Sequence, residues 1–169
     1  MKGVVILDGP DACGKTTLAN RLIEKYGGEY IHATYKFAKK MPLYHGALLR
    51  RALKKAKKHL VIIDRLHVSE YIYAKVFRGG TPWPWMLPMF NNICRDLSIP
   101  IIICVPETFE RGVEWFTETK KERYEMYDDM KNVLKEYIEY AKTHNVITYN
   151  RDKNEFERVD EIIRGYLHE

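Results

Sequence analysis

Eight consecutive residues, Gly9-Pro10-Asp11-Ala12-Cys13-Gly14-Lys15-Thr16, restrict this 169-residue chain more than any other part of it. They satisfy the pattern G-x-x-x-x-G-K-[ST]. An aliphatic run, Gly3-Val4-Val5-Ile6-Leu7, comes just before them, and Leu18, Leu22 and Ile23 follow at helical spacing. Glycines let the backbone curl until successive N–H groups point into one anion-sized hollow. A helix starting at once adds the positive end of its dipole. In such a loop the lysine, here Lys15, reaches the β- and γ-phosphates of ATP, and the hydroxyl of Thr16 ligates Mg²⁺. Gly9, Asp11, Ala12, Cys13, Gly14 and Thr17 complete the expected ATP wall. At average residue usage chance yields the pattern in roughly one chain of this length in 200, and the flanking strand and helix make coincidence rarer still.

Strand-like and helix-like patterns alternate along the rest of the chain. Strands are expected at Gly3–Leu7, Glu29–His32, His59–Asp64, Ser98–Val105 and Val146–Tyr149. Helices are expected at Thr16–Tyr26, Tyr44–Lys58, Val68–Phe77, Met86–Leu97, a short stretch from Glu107, about Glu122–Thr143, and Glu155–Leu167. Thr81-Pro82-Trp83-Pro84-Trp85 reads as a loop, since its prolines cannot continue a helix. This alternation argues an α/β fold, a parallel sheet with helices on both faces, in a single domain spanning 1–169. The polar stretch Thr117–Arg123 marks a lid at about residues 116–124.

Composition narrows the function by exclusion. No apolar run approaches the ~20 residues of a membrane span, and the N-terminal run is broken at Asp8, too early for a signal peptide. A cytoplasmic protein with no membrane partner is expected. Cys13, Cys94 and Cys104 lack metal-ligand spacing, and the six histidines form no zinc pattern. A net charge of +5 suits anionic partners, but nucleotides and nucleic acid satisfy it equally.

The third expected strand ends in Asp64-Arg65. Ligands of open parallel sheets sit beyond the carboxyl ends of the strands, so Asp8, the phosphate loop and Asp64-Arg65 are expected around one crevice. There Asp64 can hold Mg²⁺ or its waters and Arg65 can clamp a phosphate in bidentate fashion.

Leu7 to Thr17 resembles the phosphate loop of the thymidylate kinase family. Asp64-Arg65-Leu66-His67-Val68-Ser69, continuing to Tyr73-Ala74, resembles that family's D-R-x-x-x-S-x-x-[AY] segment, and Glu122–Glu125 is similar to the stretch after its lid. Residues 64–80, ending Phe77-Arg78-Gly79-Gly80, look most like the small nucleotide kinases of bacteriophages. The resemblance implies a three-layer P-loop fold with a five-stranded parallel sheet in the order 2-3-1-4-5. It implies transfer of the γ-phosphoryl of ATP, with Mg²⁺, to a deoxynucleoside monophosphate such as dTMP or a modified relative. Asp11 would approach the acceptor sugar, Arg65 would bind the acceptor phosphate with Asp64 near Mg²⁺, and Ser69 and Tyr73 would line the acceptor pocket. Arg111, Lys120, Lys121 and Arg123 would supply lid cations, and a homodimer formed through helices beside the sheet would be in keeping with the family. Phe37, Tyr44 and His45 fall where the family places a base-stacking ring.

Two other readings stay open. If the acceptor were a hydroxyl, on a nucleoside or on DNA, a base would be required, and Asp8 stands where similar deoxynucleoside kinases carry a Glu. A nucleotide-binding switch without an acceptor would need no Asp64-Arg65. The run Arg50–Lys58 packs six cations into nine residues. It reads as the solvated face of a helix buried through Leu49, Leu53 and Ala56, or as a contact for a nucleic-acid backbone, with Arg50 placed to guide an acceptor.

Overall fold

A computed structural model describes residues 1–34, 40–120 and 128–167. Strands β1 (Gly3–Asp8), β2 (Glu29–His32), β3 (Leu60–Asp64), β4 (Ile101–Cys104) and β5 (Ile147–Tyr149) form one sheet in the order β2-β3-β1-β4-β5. Every pairing is parallel, with Val5 opposite Ile62 and Asp8 opposite Ile103. This is the expected order, and it puts the carboxyl ends of β1 and β3 side by side.

Both faces of the sheet are covered, so β1 and β3 are apolar at successive positions rather than alternate ones until each ends in an aspartate, Asp8 and Asp64. Val4, Ile6, Val61 and Ile63 pack beneath helices α2 (Met41–Ala56) and α4 (Met86–Asp96). Val5, Leu7, Leu60 and Ile62 point the other way, onto α1 (Lys15–Tyr26) and α7 (Phe156–Tyr166). A third cluster joins α3 (His67–Arg78), α5 (Phe109–Lys120) and α6 (Asp128–Thr143) through Val68, Ile72, Phe116, Val133 and Tyr137. Each fully buried aliphatic side chain contributes about 1.5–3 kcal/mol of transfer free energy.

Several boundaries differ from the sequence expectation for identifiable reasons. β4 begins at Ile101 rather than Ser98, because Ser98 turns back at φ 52° and Pro100 has no N–H to pair. The Pro100 carbonyl still accepts from Ile6 N at 3.0 Å. α2 starts at Met41, with Pro42 in its first turn where a missing N–H costs nothing. α5 runs as far as Lys120, so residues 116–120 of the expected lid are helical and Phe116 is buried. The other lid residues, 121–124, fall outside the described residues, as does the expected helix start at Glu122; α6 is Asp128–Thr143. A 3₁₀ turn at Arg151–Lys153, capped by the Asn150 side chain, has no strong sequence signal. Among the described residues no helix is long and apolar enough to cross a membrane.

Candidate active site

The loop from Gly9 to Gly14 leaves β1 and curls into the N-terminus of α1. Gly9 has φ 142°, and a Cβ there would stand 2.3 Å from the Cys104 carbonyl oxygen, so β4 holds the loop too closely for any side chain. Gly14 has φ 85° at the helix entry, and a Cβ would press on Arg151 Cβ at 3.1 Å. Cys13 is buried and packs in the core, where burial pushes its thiol up to about 12. It is a packing residue and no nucleophile.

A crevice of about 540 Å³ opens over this loop. The expected Asp11, Ala12, Cys13, Gly14, Lys15, Thr16, Thr17, Asp64 and Arg65 all line it. Lys15 is buried and turns its ammonium back to the carbonyls of Gly9, at 2.9 Å, and Pro10, at 2.6 Å. Burial lowers its pKa first and the neighbouring Arg65 lowers it further, while Asp64 opposes both.

Asp64 and Arg65 emerge from β3 directly across from the loop. Asp64 accepts a hydrogen bond from Tyr30 Oη and lies 3.8 Å from His32 Nε2, while its Oδ1 is buried with no hydrogen-bond partner. Burial and the Asp64 carboxylate push the Tyr30 phenol up to about 12, and a hydrogen bond with Thr16 works the other way. Thr16, Tyr30 and Asp64 therefore form one polar group at the lip of the loop. An orphaned carboxylate oxygen in the same polar group as a threonine hydroxyl fits Mg²⁺, a hard cation that takes oxygen ligands. Among the described residues no three His, Cys, Asp or Glu side chains converge on a metal position.

Arg65 takes φ 71°, a left-handed backbone that is uncommon for a branched-chain-free but bulky residue, and its N–H is tied to the Leu7 carbonyl at 2.8 Å. Its guanidinium donates to Asp11 Oδ1 at 2.5 Å and to Tyr73 Oη at 3.0 Å, and it lies over the Tyr73 ring. The side chain is thereby stretched between the phosphate loop and α3, almost wholly buried but still lining the crevice.

Asp8, Ser69, Arg50 and Arg111, all expected at the site, stand elsewhere. Asp8 is fully buried beneath the crevice and does not line it. Its Oδ1 accepts from Gly9 N (2.9 Å), Ser69 Oγ (2.5 Å) and Tyr137 Oη (2.6 Å), and its Oδ2 from Leu66 N and Ser69 N (both 3.2 Å). Ser69 is buried with it, engaged in that network rather than facing the cavity. Arg50 is exposed in the middle of α2 and is not among the lining residues. Leu48, Leu49, Ala52 and Ala56 bury the helix's other face, and Lys55 pairs with Glu29, so the cationic run is mostly a solvated face. Arg111 is held outside the crevice by Asp152, Glu114 and Glu118, and its hydrogen bonds to Asp152 and Glu114 raise its pKa further. Arg123, Lys121 and Phe37 fall outside the described residues.

The sequence reading missed Arg151, Arg21 and Tyr149, which also line the crevice. Arg151 donates to the Ala12 carbonyl at 2.9 Å and pairs with Glu118 of α5, with its guanidinium 4.5 Å from the centre of the Trp115 ring. Trp115 Nε1 in turn donates to both oxygens of Asp152 at 3.1 Å. The turn at 151–153 carries these groups to the loop, and its only sequence mark is the Asn150 cap.

No family model matches the sequence, and no curated protein matches it. Solved structures do. YorR of Bacillus subtilis, crystallised in complex with phosphorylated GDP, superposes with a TM-score of 0.74 at 18% identity, over 99% of this chain and 100% of that one. Deoxyadenosine kinase of M. mycoides with bound dATP gives 0.59 at 16% identity, over 97% and 100%. Thymidylate kinase of Candida albicans gives 0.58 at 17% identity, over 97% and 92%. At these identities what is shared is the fold, and it is the fold of nucleoside and nucleotide kinases.

Proposed function

We propose that the protein is a kinase that transfers the γ-phosphoryl group of ATP to a nucleoside monophosphate, with dTMP or a modified relative the acceptor implied by the resemblance to thymidylate kinases. The observation that carries this reading is Arg65. A phosphate loop alone suits any nucleotide-binding protein. A second, buried guanidinium on the far wall of the same crevice suits a second phosphate. The solved structures that share the fold support the reaction class, and their names span deoxyadenosine and thymidylate kinases.

In this reading the donor phosphates lie in the hollow of Gly9–Thr16, and Lys15 leaves its two carbonyls to reach them. Thr16 and Asp64 would hold Mg²⁺, which when bound neutralises charge on the β- and γ-phosphates. Arg65 draws the acceptor phosphate toward the γ-phosphorus, with Tyr73 and Asp11 fixing its fork. An oxygen of the acceptor phosphate forms the new bond to phosphorus as the bond to the β–γ bridging oxygen breaks, leaving ADP and the acceptor diphosphate. No proton need be removed, so no general base is required. Positioning and charge neutralisation supply the acceleration.

Asp8 bears on the hydroxyl-kinase alternative. Both its oxygens are occupied and it is sealed from the crevice, which suits a structural anchor better than a base that must meet a nucleoside hydroxyl. The reading is tested by ADP release from ATP and Mg²⁺ with a panel of deoxynucleoside monophosphates, the matching nucleosides, and single- and double-stranded DNA. Turnover that requires a monophosphate is expected. Turnover with nucleosides or DNA alone would move the acceptor to a hydroxyl.

A further inference from the structure

Charge is divided unevenly along the chain. Residues 30–63 hold nine of the 28 Lys and Arg and none of the 23 Asp and Glu, so the rest of the chain, with 19 against 23, is net acidic. Six of the nine cations lie between Arg50 and Lys58, on α2 and the turn that follows it. Arg50, Lys54, Lys57 and Lys58 are exposed and recur at steps of three and four residues, about one helical turn, so they form a single row along the helix. Like charges four apart, as in Arg50 and Lys54 or Lys54 and Lys58, disfavour a helix. None of the four pairs with a described acidic residue, and Glu29 is taken by Lys55. Solubility would be served by mixed signs. A row of one sign that costs helix stability points to a polyanion outside the chain.

The row runs into a cavity of about 280 Å³, which Lys57 also lines. Val4, Leu53 and Ile99 give the cavity apolar walls, and Leu97 and Tyr166, both half exposed, stand beside them. The position of both features follows from the topology. α2 leads through residues 57–59 into the amino end of β3, and the cavity is bordered by Gly3 at the start of β1 and by Ser98 and Ile99 just before β4. The row therefore ends, with the cavity, at the edge of the sheet opposite the crevice, which opens beyond the carboxyl ends of β1 and β3.

We propose that this surface binds single-stranded nucleic acid, with phosphates along Arg50, Lys54, Lys57 and Lys58 and a base in the cavity against Tyr166. A cationic track beside an aromatic platform is the combination that a flexible strand of phosphates and flat bases takes. A lipid surface fits less well, because α2 turns its apolar side, Leu48, Leu49, Ala52 and Ala56, into the core and has none to insert. The bound strand is a tether and not a phosphoryl acceptor, since it and the crevice occupy opposite ends of the sheet. The inference is thus independent of the monophosphate-kinase reading.

The test is fluorescence anisotropy of the full chain with labelled oligo(dT) and oligo(rU) of about 20 nucleotides, without ATP. Binding of at least one is expected, and the two arms tell DNA from RNA. Four phosphate contacts on a single strand imply that affinity falls about fiftyfold between about 50 and 200 mM salt. Replacing three of the cations together, Lys54→Gln, Lys57→Gln and Lys58→Gln, should reduce that fall to about threefold. Tyr166→Ala should weaken binding about tenfold and leave the salt dependence as it was. Failure of the unaltered chain to bind either strand at the lowest salt would overturn the proposal, and needs no variant. So would tighter binding of duplex DNA of the same length, equal binding of polyglutamate or of phosphatidylserine vesicles, a salt dependence that survives the triple substitution, or a Tyr166→Ala protein that binds as the unaltered one does. None of these outcomes bears on ADP release with monophosphates, which tests the kinase reading separately.

Discussion

Tyr137 of α6 donates its phenolic hydrogen to Asp8 at the end of β1, 2.6 Å away and 129 residues distant in sequence. The helix that follows the expected lid is thus fixed to the residue from which the phosphate loop departs. Tyr137→Phe keeps the ring and removes the donor. It is expected to lower stability by about 1.5–3 kcal/mol, the range for hydrogen bonds to charged groups, read from urea denaturation midpoints. Ser69→Ala, which removes a second donor to the same oxygen, should combine with it non-additively in a double-mutant cycle, because the two hydroxyls also contact each other at 2.8 Å.

Arg65 separates acceptor binding from donor binding. Arg65→Lys retains the charge but not the planar fork that Asp11 and Tyr73 hold. The KM for the acceptor is expected to rise about tenfold or more, the equivalent of ~1.4 kcal/mol, with ATP affinity nearly unchanged. Initial-rate kinetics varied in each substrate will check this, and equal losses for both would remove Arg65 from the acceptor site.

The orphaned Oδ1 of Asp64 is the expected contact for Mg²⁺ or one of its waters. Asp64→Asn should shift the Mg²⁺ concentration for half-maximal activity upward while leaving Mg²⁺-free nucleotide binding little changed. A Mg²⁺ titration that is superimposable on the unaltered protein's would exclude Asp64 from the metal's surroundings.

The fold and most of the residues that line the candidate crevice were legible because their signals are local. Val4-Val5-Ile6-Leu7 and Leu60–Ile63 read as strands covered on both faces, and the spacing of Gly9, Gly14, Lys15 and Thr16 is itself a backbone specification. What escaped depends on contacts between distant segments. Asp8 looks from sequence like a candidate base. Only the approach of Ser69 and Tyr137 makes it a buried anchor. Arg151 carries no pattern of its own and reaches the crevice through a short turn after β5, on the opposite side of β1 from Arg65's strand.

His45 makes stability depend on pH. Burial lowers its pKa to about 4, with the neighbouring His67, itself lowered by burial, adding to the effect and Asp8 opposing it. A histidine with a folded-state pKa below its unfolded value of about 6.5 binds its proton first in the unfolded chain. Its contribution is fully present above about pH 6.5 and is lost as the pH falls toward 4, by on the order of 3 kcal/mol across that window. Denaturation midpoints at pH 7.5 and 4.5 should therefore converge in His45→Gln relative to the unaltered protein.

Arg151 is placed to respond to the donor nucleotide. Its guanidinium touches the loop at the Ala12 carbonyl, pairs with Glu118 and faces the Trp115 ring, so it joins α5 to the phosphate loop across the crevice. The Glu118 pair is largely exposed and adds little to stability, about 0–1 kcal/mol, so removing it should leave the fold intact. The crevice, in contrast, loses a cation beside Lys15. Arg151→Ala is expected to weaken ATP binding about tenfold, ~1.4 kcal/mol, while Glu118→Gln, which frees Arg151 from its carboxylate, should leave binding equal or tighter. Calorimetric titration of ATP into the two variants will check the pair of signs. Weakening by both substitutions would mean that the Glu118–Arg151 contact holds the site open for the donor, and not that Arg151 is a cation held in reserve for it.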